Sequence, residues 1–219
     1  MGRRARKALN PRLAHDLERG QGGRVAGADE AGRGCLAGPI VAAAVVFDYA
    51  AFRDADYAAL ADLNDSKKLT RAQREEVYGA VVARAERFAV VSCSPATIDG
   101  RGLHRCNLFC LDRALCLLGP LDAPTFVDGF PLRESGVTHE ALVGGDGRSA
   151  AVAAASIVAK VTRDRLMIAL HEHFPDYGFD RHVGYSCPDH RQAIIDHGVS
   201  ELHRLSFASV AYEQLDLEL

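Results

Sequence analysis

Four acidic residues lie where apolar runs of the sequence end beside glycine, and carboxylates in this pattern could bind divalent cations. These residues are Asp29, Glu30, Asp128 and Asp146. Mg²⁺ prefers oxygen ligands, and proteins usually supply a few carboxylates while water and substrate phosphate complete the shell. Two such ions about 3.5–4 Å apart can activate a water molecule and stabilise the leaving oxygen of a phosphodiester. The pattern therefore favours a metal-dependent hydrolase of phosphodiesters, with turn-forming or helix-capping acids as the alternative.

Asp29 and Glu30 are adjacent, which raises a geometric difficulty for a shared site. Neighbouring side chains in a strand point to opposite faces of the sheet. The two acids can share a site only if the strand ends or twists between them, and Gly32 and Gly34 would permit such a break. Glycine beside an acid also lets a substrate backbone approach closely.

Apolar runs and helix-capping signals predict the elements that must position these acids. Strands are expected at residues 24–28, 39–47, 87–92, 125–128 and 141–143. Helices are expected at residues 70–84, 103–118, 148–174 and 189–198. Thr70 and Gln73 form a candidate capping box at the start of the first of these helices. Strands that alternate with helices predict one α/β domain, in which sites form just beyond the ends of strands.

The chain has 219 residues and a net charge of -3, but its charge is uneven. The first 24 residues contain seven Arg or Lys residues and only two acids. We therefore predict a flexible basic arm over residues 1–22, which acts either as an electrostatic tether for phosphates or as a solubilising tail. Residues 23–219 are expected to form the catalytic domain, with a helical region from about residue 175.

No apolar run approaches the roughly 20 residues needed to cross a bilayer, and no apolar segment follows the basic N-terminus. We therefore expect a cytoplasmic protein whose six cysteines are reduced. No two cysteines have the CxxC spacing of zinc or iron–sulfur sites. Cys106 and Cys110 are expected to be small buried side chains.

Several other polar residues are expected to have structural roles. Asp164 follows Lys160 by four residues and should form an ion pair on a helix surface. Ser156 has no neighbouring base in the sequence and is assigned to helix packing. The histidines of the C-terminal part are expected at the surface, and these are His182, His190, His197 and His203.

Several blocks of the sequence, taken in order, resemble the ribonuclease HII family of bacteria, within the ribonuclease H-like superfamily. The first block is GADEAGRG at residues 27–34, followed by AGPIVAA at residues 37–43. The later blocks are DSKKL at 65–69, VDG at 127–129, AAASIVAKVTRD at 153–164, GY at 184–185 and HRLSF at 203–207. The resemblance extends from about residue 23 to residue 207.

The resemblance implies a ribonuclease H-like fold, which is a mixed five-stranded sheet flanked by helices with a helical C-terminal part. It implies endonucleolytic cleavage of the RNA strand in RNA–DNA hybrids and incision 5′ of single ribonucleotides embedded in duplex DNA. The products would carry 3′-hydroxyl and 5′-phosphate ends. Mn²⁺ or Mg²⁺ would be required, with two ions when substrate is bound. The expected partners are these nucleic acids, with no membrane contact, and the expected form is a monomer.

The resemblance also implies roles for individual residues. Asp29, Glu30, Asp128 and Asp146 correspond to the family's metal-site acids. The backbone of Gly32, Arg33 and Gly34 corresponds to the element that recognises the ribose 2′-OH, the group that distinguishes RNA from DNA at one nucleotide. Tyr185 corresponds to the tyrosine that packs on the next sugar. Ser66 and Lys67 correspond to phosphate contacts.

This chain departs from the family pattern at two places. Val183 occupies the usual lysine position before Gly-Tyr, and the usual Lys-Gly-Asp-Ser around the fourth acid is Gly145-Asp146-Gly147 here, preceded by Gly144. Phosphate contacts could therefore be missing, with Arg148 as a candidate replacement charge.

Two other functions remain open from the sequence. One is an inactive nucleic-acid-binding module on the same fold, although simple binding would favour basic residues where this chain has four acids. The other is a nucleotide-binding protein that uses residues 32–38 as a phosphate cradle. The Walker pattern is absent, and the glycines do not have GxGxxG spacing.

Overall fold

A computed structural model describes residues 9–207 and residue 212, and a single sheet forms its centre. Its five strands are β1 Arg24–Ala31, β2 Ile40–Asp48, β3 Arg87–Cys93, β4 Thr125–Asp128 and β5 Glu140–Leu142. They are ordered β3-β2-β1-β4-β5. Strands β1, β4 and β5 are parallel to one another, whereas β2 is antiparallel to both β1 and β3. The predicted mixed five-stranded sheet is therefore confirmed.

Eight α-helices occur in the described part of the chain. They are α1 Pro11–Arg19, α2 Asp54–Ala59, α3 Arg71–Val82, α4 Pro95–Arg101, α5 Leu103–Leu117, α6 Ala150–His171, α7 Phe179–His182 and α8 Pro188–His197. The predicted capping box of α3 is present, because Thr70 accepts from the Gln73 amide and Gln73 accepts from the Thr70 amide. The four helices predicted from the sequence correspond to α3, α5, α6 and α8, whereas α1, α2, α4 and α7 were not predicted as helices.

Each face of the sheet is covered by one long helix. Helix α6 covers the face that contains Val25 and Ala31 of β1, and α5 covers the face that contains Ala26 and Ala28. Strand β2 is buried along almost its whole length, as its continuous apolar run predicts. Both faces of the central strands are thus withdrawn from water, whereas β3 at the edge stays partly exposed.

Helix α6 lies unusually close to β1 because both elements present small residues. A Cβ added at Gly27 would lie 2.3 Å from the carbonyl carbon of Ala151. Nine of the first ten residues of α6 are alanine, valine or isoleucine, and the one exception is Ser156. The alanine-rich sequence therefore lets the helix backbone touch the sheet next to the strand end that carries Asp29.

The predicted basic arm is wrong for part of its length. Residues 1–8 lie outside the described residues, but α1 packs on the domain with Leu13 fully buried. Asp16 is also buried and accepts hydrogen bonds from the Ala151 amide, at 2.8 Å, and from the Tyr49 hydroxyl, at 3.0 Å. The sequence did not indicate that Leu13 and Asp16 are buried, because the arginines around them dominate the charge of this segment.

Two histidines expected at the surface are buried. His190 is 0% exposed and His203 is 2% exposed, with their Nε2 atoms 3.2 Å apart. Burial lowers the pKa of both imidazoles to about 4. Asp164 does form an ion pair with Lys160, at 2.7 Å, but Asp164 is buried and Lys160 is partly buried, so the pair is not on the open surface. Cys106 and Cys110 are buried as predicted.

Within the described residues, no helix combines the length and the apolar character that crossing a membrane requires.

Candidate active site

Three strand ends bring the predicted acids to one edge of the sheet. Ala28 of β1 is paired with Val127 of β4, so the next residues, Asp29 and Asp128, stand side by side on parallel strands. Asp146 lies in the 3-10 turn Gly145–Gly147 that follows β5. The Gly145 amide donates to Oδ1 of Asp128 at 2.6 Å, which fixes this turn against the end of β4.

Asp29 is the most deeply buried acid of the group, with 6% of its surface exposed. Its Oδ1 accepts from the Glu30 amide at 2.7 Å, and its carboxyl group is hydrogen-bonded to Ser156 of α6. Burial raises its pKa well above the usual range, and the charges of Glu30 and Asp128 raise it further. A carboxylate in this position is unfavourable unless a proton or a cation neutralises it.

Strand β1 neither ends nor twists between Asp29 and Glu30, so Glu30 lies on the opposite face of the sheet. Strand β1 continues to Ala31, and Glu30 faces α5, where Asn107 donates a hydrogen bond to it. Burial raises the pKa of Glu30, Arg33 counteracts this at 3.4 Å, and Asp128 raises it again. The acids therefore interact around the end of the sheet, with Asp128 close enough to influence both faces.

Asp146 is less buried and depends on neighbouring loops. Burial raises its pKa, followed by the charges of Asp65 and Asp128, while Lys67 lowers it. The guanidinium of Arg12 donates from Nε to the Asp146 carbonyl at 2.6 Å. Arg148, the expected replacement charge, instead acts on Glu140, whose pKa it helps to lower. The positive charge that lowers the pKa of Asp146 is therefore that of Lys67 and not that of Arg148.

The glycine-rich segment 32–34 follows β1 directly and lies beside Tyr185. Gly32 has a φ of 93° and is buried, whereas Gly34 is exposed with nothing within 4 Å of an added Cβ. Cys35 forms a β-bridge with Tyr185, whose side chain is 38% exposed. Burial raises the pKa of Tyr185 to about 12, which keeps its hydroxyl neutral. The structure thus places a backbone loop and an aromatic ring together at the edge of the acid cluster.

Ser66 and Lys67 occupy different environments although they are adjacent. Ser66 is 4% exposed, and its Oγ lies 3.0 Å from the Oγ of Ser156, which in turn is hydrogen-bonded to Asp29. Lys67 is exposed. The hydroxyl of Ser66 therefore points into the protein toward Asp29, which differs from the phosphate contact expected for it.

Sequence reasoning missed four residues that contact or influence the acids. They are Asn107, Ser156, Asp65 and Arg12. Ser156 and Asn107 each lie in an apolar helix on the buried side, with 4% and 2% exposure. A polar residue on the buried face of a helix needs a hydrogen-bond partner, and that was the available signal. Nothing local marked Arg12, whereas Asp65 begins the DSKKL block but was given no role of its own.

The acids fit a hard divalent cation, but only with help from other ligands. Among residues 9–207 and 212, no three His, Cys, Asp or Glu side chains converge tightly enough to hold an ion alone. Mg²⁺ is commonly held by one or two carboxylates, with water and substrate phosphate completing its shell. The donor set is purely oxygen, and the pKa values of three of its members are raised first by burial and then by the charges of neighbouring acids. This arrangement suits a cation that is bound jointly by protein and substrate.

Comparison with known proteins agrees with this geometry. A family model described as Ribonuclease HII matches residues 26–210. Ribonuclease HII of Burkholderia ambifaria is 46% identical over 193 residues, which cover 88% of this chain and 85% of the relative. Ribonuclease H2 of Pyrococcus horikoshii superposes with a TM-score of 0.73 at 27% identity, covering 88% of this chain and 97% of that one.

A second solved structure is the complex of PCNA and RNase HII from Archaeoglobus fulgidus. It matches with a TM-score of 0.71 at 30% identity, covering 84% of this chain and 95% of that one. The family model covers most of the chain, and the relatives align over nearly their full length. The chain therefore belongs to the ribonuclease HII family and is an endonuclease of the ribonuclease H type.

Proposed function

We propose that this endonuclease cleaves the RNA strand of RNA–DNA hybrids and incises duplex DNA 5′ of single embedded ribonucleotides. The products would carry 3′-hydroxyl and 5′-phosphate ends. The observation that carries the proposal is the juxtaposition of the acid cluster with the exposed backbone of Gly34, at the edge where β1 and β4 end. The acid cluster would bind the metal, and the backbone of Gly34 would contact the sugar beside the cleaved bond.

Asp29, Glu30, Asp128 and Asp146 would hold Mn²⁺ or Mg²⁺, with two ions present when substrate is bound. The bound ions would supply an activated water and stabilisation of the leaving oxygen. In the absence of a cation, the raised pKa of Asp29 favours a proton on the cluster. Metal binding should therefore release protons, so that apparent metal affinity increases with pH.

Ser156 and Asn107 would act as positioning residues for the two acids of β1. Ser156 holds Asp29 from α6, and Asn107 holds Glu30 from α5. Each acid is thus oriented by the helix on its own face of the sheet, and Asp128 acts electrostatically on both. Ser66, through its contact with Ser156, would support Asp29 and would not contact phosphate by its hydroxyl.

The segment Gly32, Arg33 and Gly34 would recognise the ribose 2′-OH through its backbone, and Tyr185 would pack on the adjacent sugar. No side chain hinders approach at Gly34. The 2′-OH can both donate and accept a hydrogen bond, so a backbone loop can distinguish it from the hydrogen of deoxyribose. The exposed ammonium of Lys67 would contact a substrate phosphate.

The direct test is cleavage of a labelled DNA duplex that contains one ribonucleotide, with Mn²⁺, Mg²⁺ or EDTA. An RNA–DNA hybrid and an all-DNA duplex of the same sequence complete the set. We expect metal-dependent incision of the first two only, and mapping of the ends checks the 5′-phosphate. Failure to incise the ribonucleotide duplex with either metal would refute the proposed substrate. Binding without cleavage would favour a binding module.

Lys67 and Lys68 form a matched pair for testing the phosphate contact. Lys67→Ala should raise KM and reduce the salt dependence of binding by roughly one released counterion. Lys68→Ala should change little, since Lys68 pairs with Asp65 at 4.0 Å and is exposed. Equal effects of the two substitutions would argue against a specific contact by Lys67.

A further inference from the structure

Two arginines lie completely buried behind the glycine-rich segment. Arg163, on α6, and Arg204, beyond α8, are each 0% exposed. Among the described residues, none of their hydrogen-bond partners is a carboxylate. Asp99 acts on Arg204 through its charge but not through a hydrogen bond. A buried charge that is not hydrogen-bonded to a counter-ion is costly and uncommon in folded proteins. Such a pair therefore requires an explanation beyond packing.

The two guanidinium groups bind backbone carbonyls, and four of these five carbonyls belong to residues 33–39. Arg163 donates to the carbonyls of Pro39, Ala37 and Val183, each at 2.9 Å. Arg204 donates to the carbonyls of Gly38, at 2.9 Å, and Arg33, at 3.0 Å. The segment that follows the metal-site strand is thus held from behind by its carbonyl oxygens.

Some backbone amides of residues 33–38 donate hydrogen bonds within the protein, and others do not. The amides of Leu36 and Ala37 donate to the Gly184 carbonyl, and that of Gly38 donates to the Leu202 carbonyl. Within residues 9–207 and 212, the amides of Arg33, Gly34 and Cys35 donate to no backbone acceptor. Cys35 is buried and the carbonyl of Arg33 is fixed inward by Arg204, so the amides of Arg33 and Gly34 are those left for an external acceptor.

Glycine spacing in the segment also matches the position of Arg163. A Cβ at Gly32 would lie 2.1 Å from Nε of Arg163, whereas a Cβ at Gly38 would meet Sδ of Met167 first, at 2.2 Å, and Nη2 of Arg163 at 3.1 Å. Val183, whose carbonyl binds Nη1, has a φ of 45°, which a β-branched residue rarely adopts. The chain on both sides therefore accommodates this guanidinium, even at the cost of backbone strain.

We propose that Arg163 and Arg204 form a clamp that positions the backbone of residues 32–34 for recognition of ribose. The clamp holds the carbonyls inward and leaves the amides of Arg33 and Gly34 exposed to the substrate. Both arginines are positioning residues, because they touch the loop and not the substrate. The proposal rests on the proposed function of residues 32–34 in reading the 2′-OH.

The test uses Arg163→Lys and Arg204→Lys, which keep a positive charge but cannot donate in the fixed fork of a guanidinium. Cleavage of the single-ribonucleotide duplex is measured at saturating Mn²⁺, with an all-DNA duplex as competitor. Preference for ribose is measured as the KM for the single-ribonucleotide duplex divided by the inhibition constant of the all-DNA duplex, and a lower ratio means a stronger preference. Amide hydrogen exchange of residues 33–38 reports the clamp directly.

For Arg163→Lys, we expect roughly 10-fold or greater loss of ribose preference, because at least two carbonyls lose their donors. Inhibition by the all-DNA duplex and the thermal shift on adding Mn²⁺ should stay as in the wild type. Exchange of the loop amides should accelerate by a similar factor. Arg165→Lys is the matched control, since Arg165 is an exposed residue of α6 paired with Glu75, and it should change neither measurement.

Wild-type ribose preference or wild-type exchange in Arg163→Lys would overturn the proposal, because both must change together. If Arg163→Lys fails to fold, Arg204→Lys decides by the same two measurements, since it removes only the contacts to Gly38 and Arg33. A wild-type enzyme that shows no ribose preference would refute the proposed function instead. Hydrogen exchange would still test the clamp in that case.

Discussion

Replacement of Asp128 by Asn should make the metal-free protein more stable while it removes nearly all activity. The charge of Asp128 raises the pKa of Asp29, Glu30 and Asp146, so it is the acid that links the cluster. Asn retains a carbonyl oxygen that can accept from the Gly145 amide, at 2.6 Å in the wild type. The substitution therefore removes charge and preserves the turn.

The size of the effect follows from electrostatics at the end of the sheet. Two carboxylates about 6 Å apart repel by roughly 3 kcal/mol at an effective dielectric constant of about 20. Raised pKa values mean that the cluster already retains some protons, so only part of this repulsion is present. We expect Asp128→Asn to raise the free energy of unfolding by roughly 1–3 kcal/mol in EDTA. For a chain of this size, this corresponds to an increase in Tm of roughly 3–10 °C.

Added metal should reduce the stability advantage of Asp128→Asn, and reverse it where that advantage is below about 1.3 kcal/mol. Mn²⁺ at about 100 times its Kd would stabilise the wild type by about 2.7 kcal/mol. Asp128→Asn should bind the ion roughly 10-fold or more weakly, because even residues that only support a ligand have effects of that size. Calorimetry in EDTA and along a Mn²⁺ titration measures both shifts, and cleavage of the single-ribonucleotide duplex measures activity.

Changing pH provides a second measurement of the same repulsion. Asp29, Glu30 and Asp146 have pKa values raised by folding, so the folded protein retains protons that the unfolded chain has lost. Their contribution to the free energy of unfolding therefore falls as pH rises from about 4 through the raised pKa values. The difference between Asp128→Asn and the wild type in EDTA should shrink as pH falls.

The control is Asp122→Asn, which changes an exposed acid just before β4. It should alter neither the Tm in EDTA nor the response to Mn²⁺. If Asp128→Asn is less stable than the wild type in EDTA, or retains substantial cleavage, then Asp128 is a structural turn residue and the reasoning fails.

Three further predictions follow from the packing around the site. Gly27→Ala should destabilise the protein by roughly 1–3 kcal/mol or more, because its Cβ would meet the backbone of α6 at 2.3 Å; Gly79→Ala, with open space in α3, should be neutral or stabilising in the same denaturant titration. Burial holds the pKa of His190 and His203 near 4, below the ordinary value of 6.5, so the free energy of unfolding should fall as pH drops from 6.5 towards 4. Replacing both with Gln should flatten that dependence, and an unchanged slope would exclude the pair as its source. Arg12→Ala should weaken Mn²⁺ affinity, because it frees the turn that carries the fourth acid, and should lower the free energy of unfolding in EDTA by less than about 2 kcal/mol; unchanged affinity would contradict this.

The sequence determined the secondary structure of the sheet and its covering helices because the signals are local. The apolar run of β2, the capping box at Thr70 and the glycines that end the strands each act within a few residues. It also located the acids at strand ends, and parallel pairing of β1 with β4 then brings Asp29 beside Asp128. The family resemblance carried the fold and the type of enzyme.

Only the tertiary structure decided which residues support those acids. Ser156 appeared to be a packing residue and Arg12 part of a flexible arm, but both contact the site across more than 100 residues of sequence. The sequence suggested that Gly32 lets the substrate approach, yet the space that a side chain there would fill is occupied by Arg163. Burial and electrostatic coupling depend on which distant segments meet, and no spacing along one chain encodes those distances.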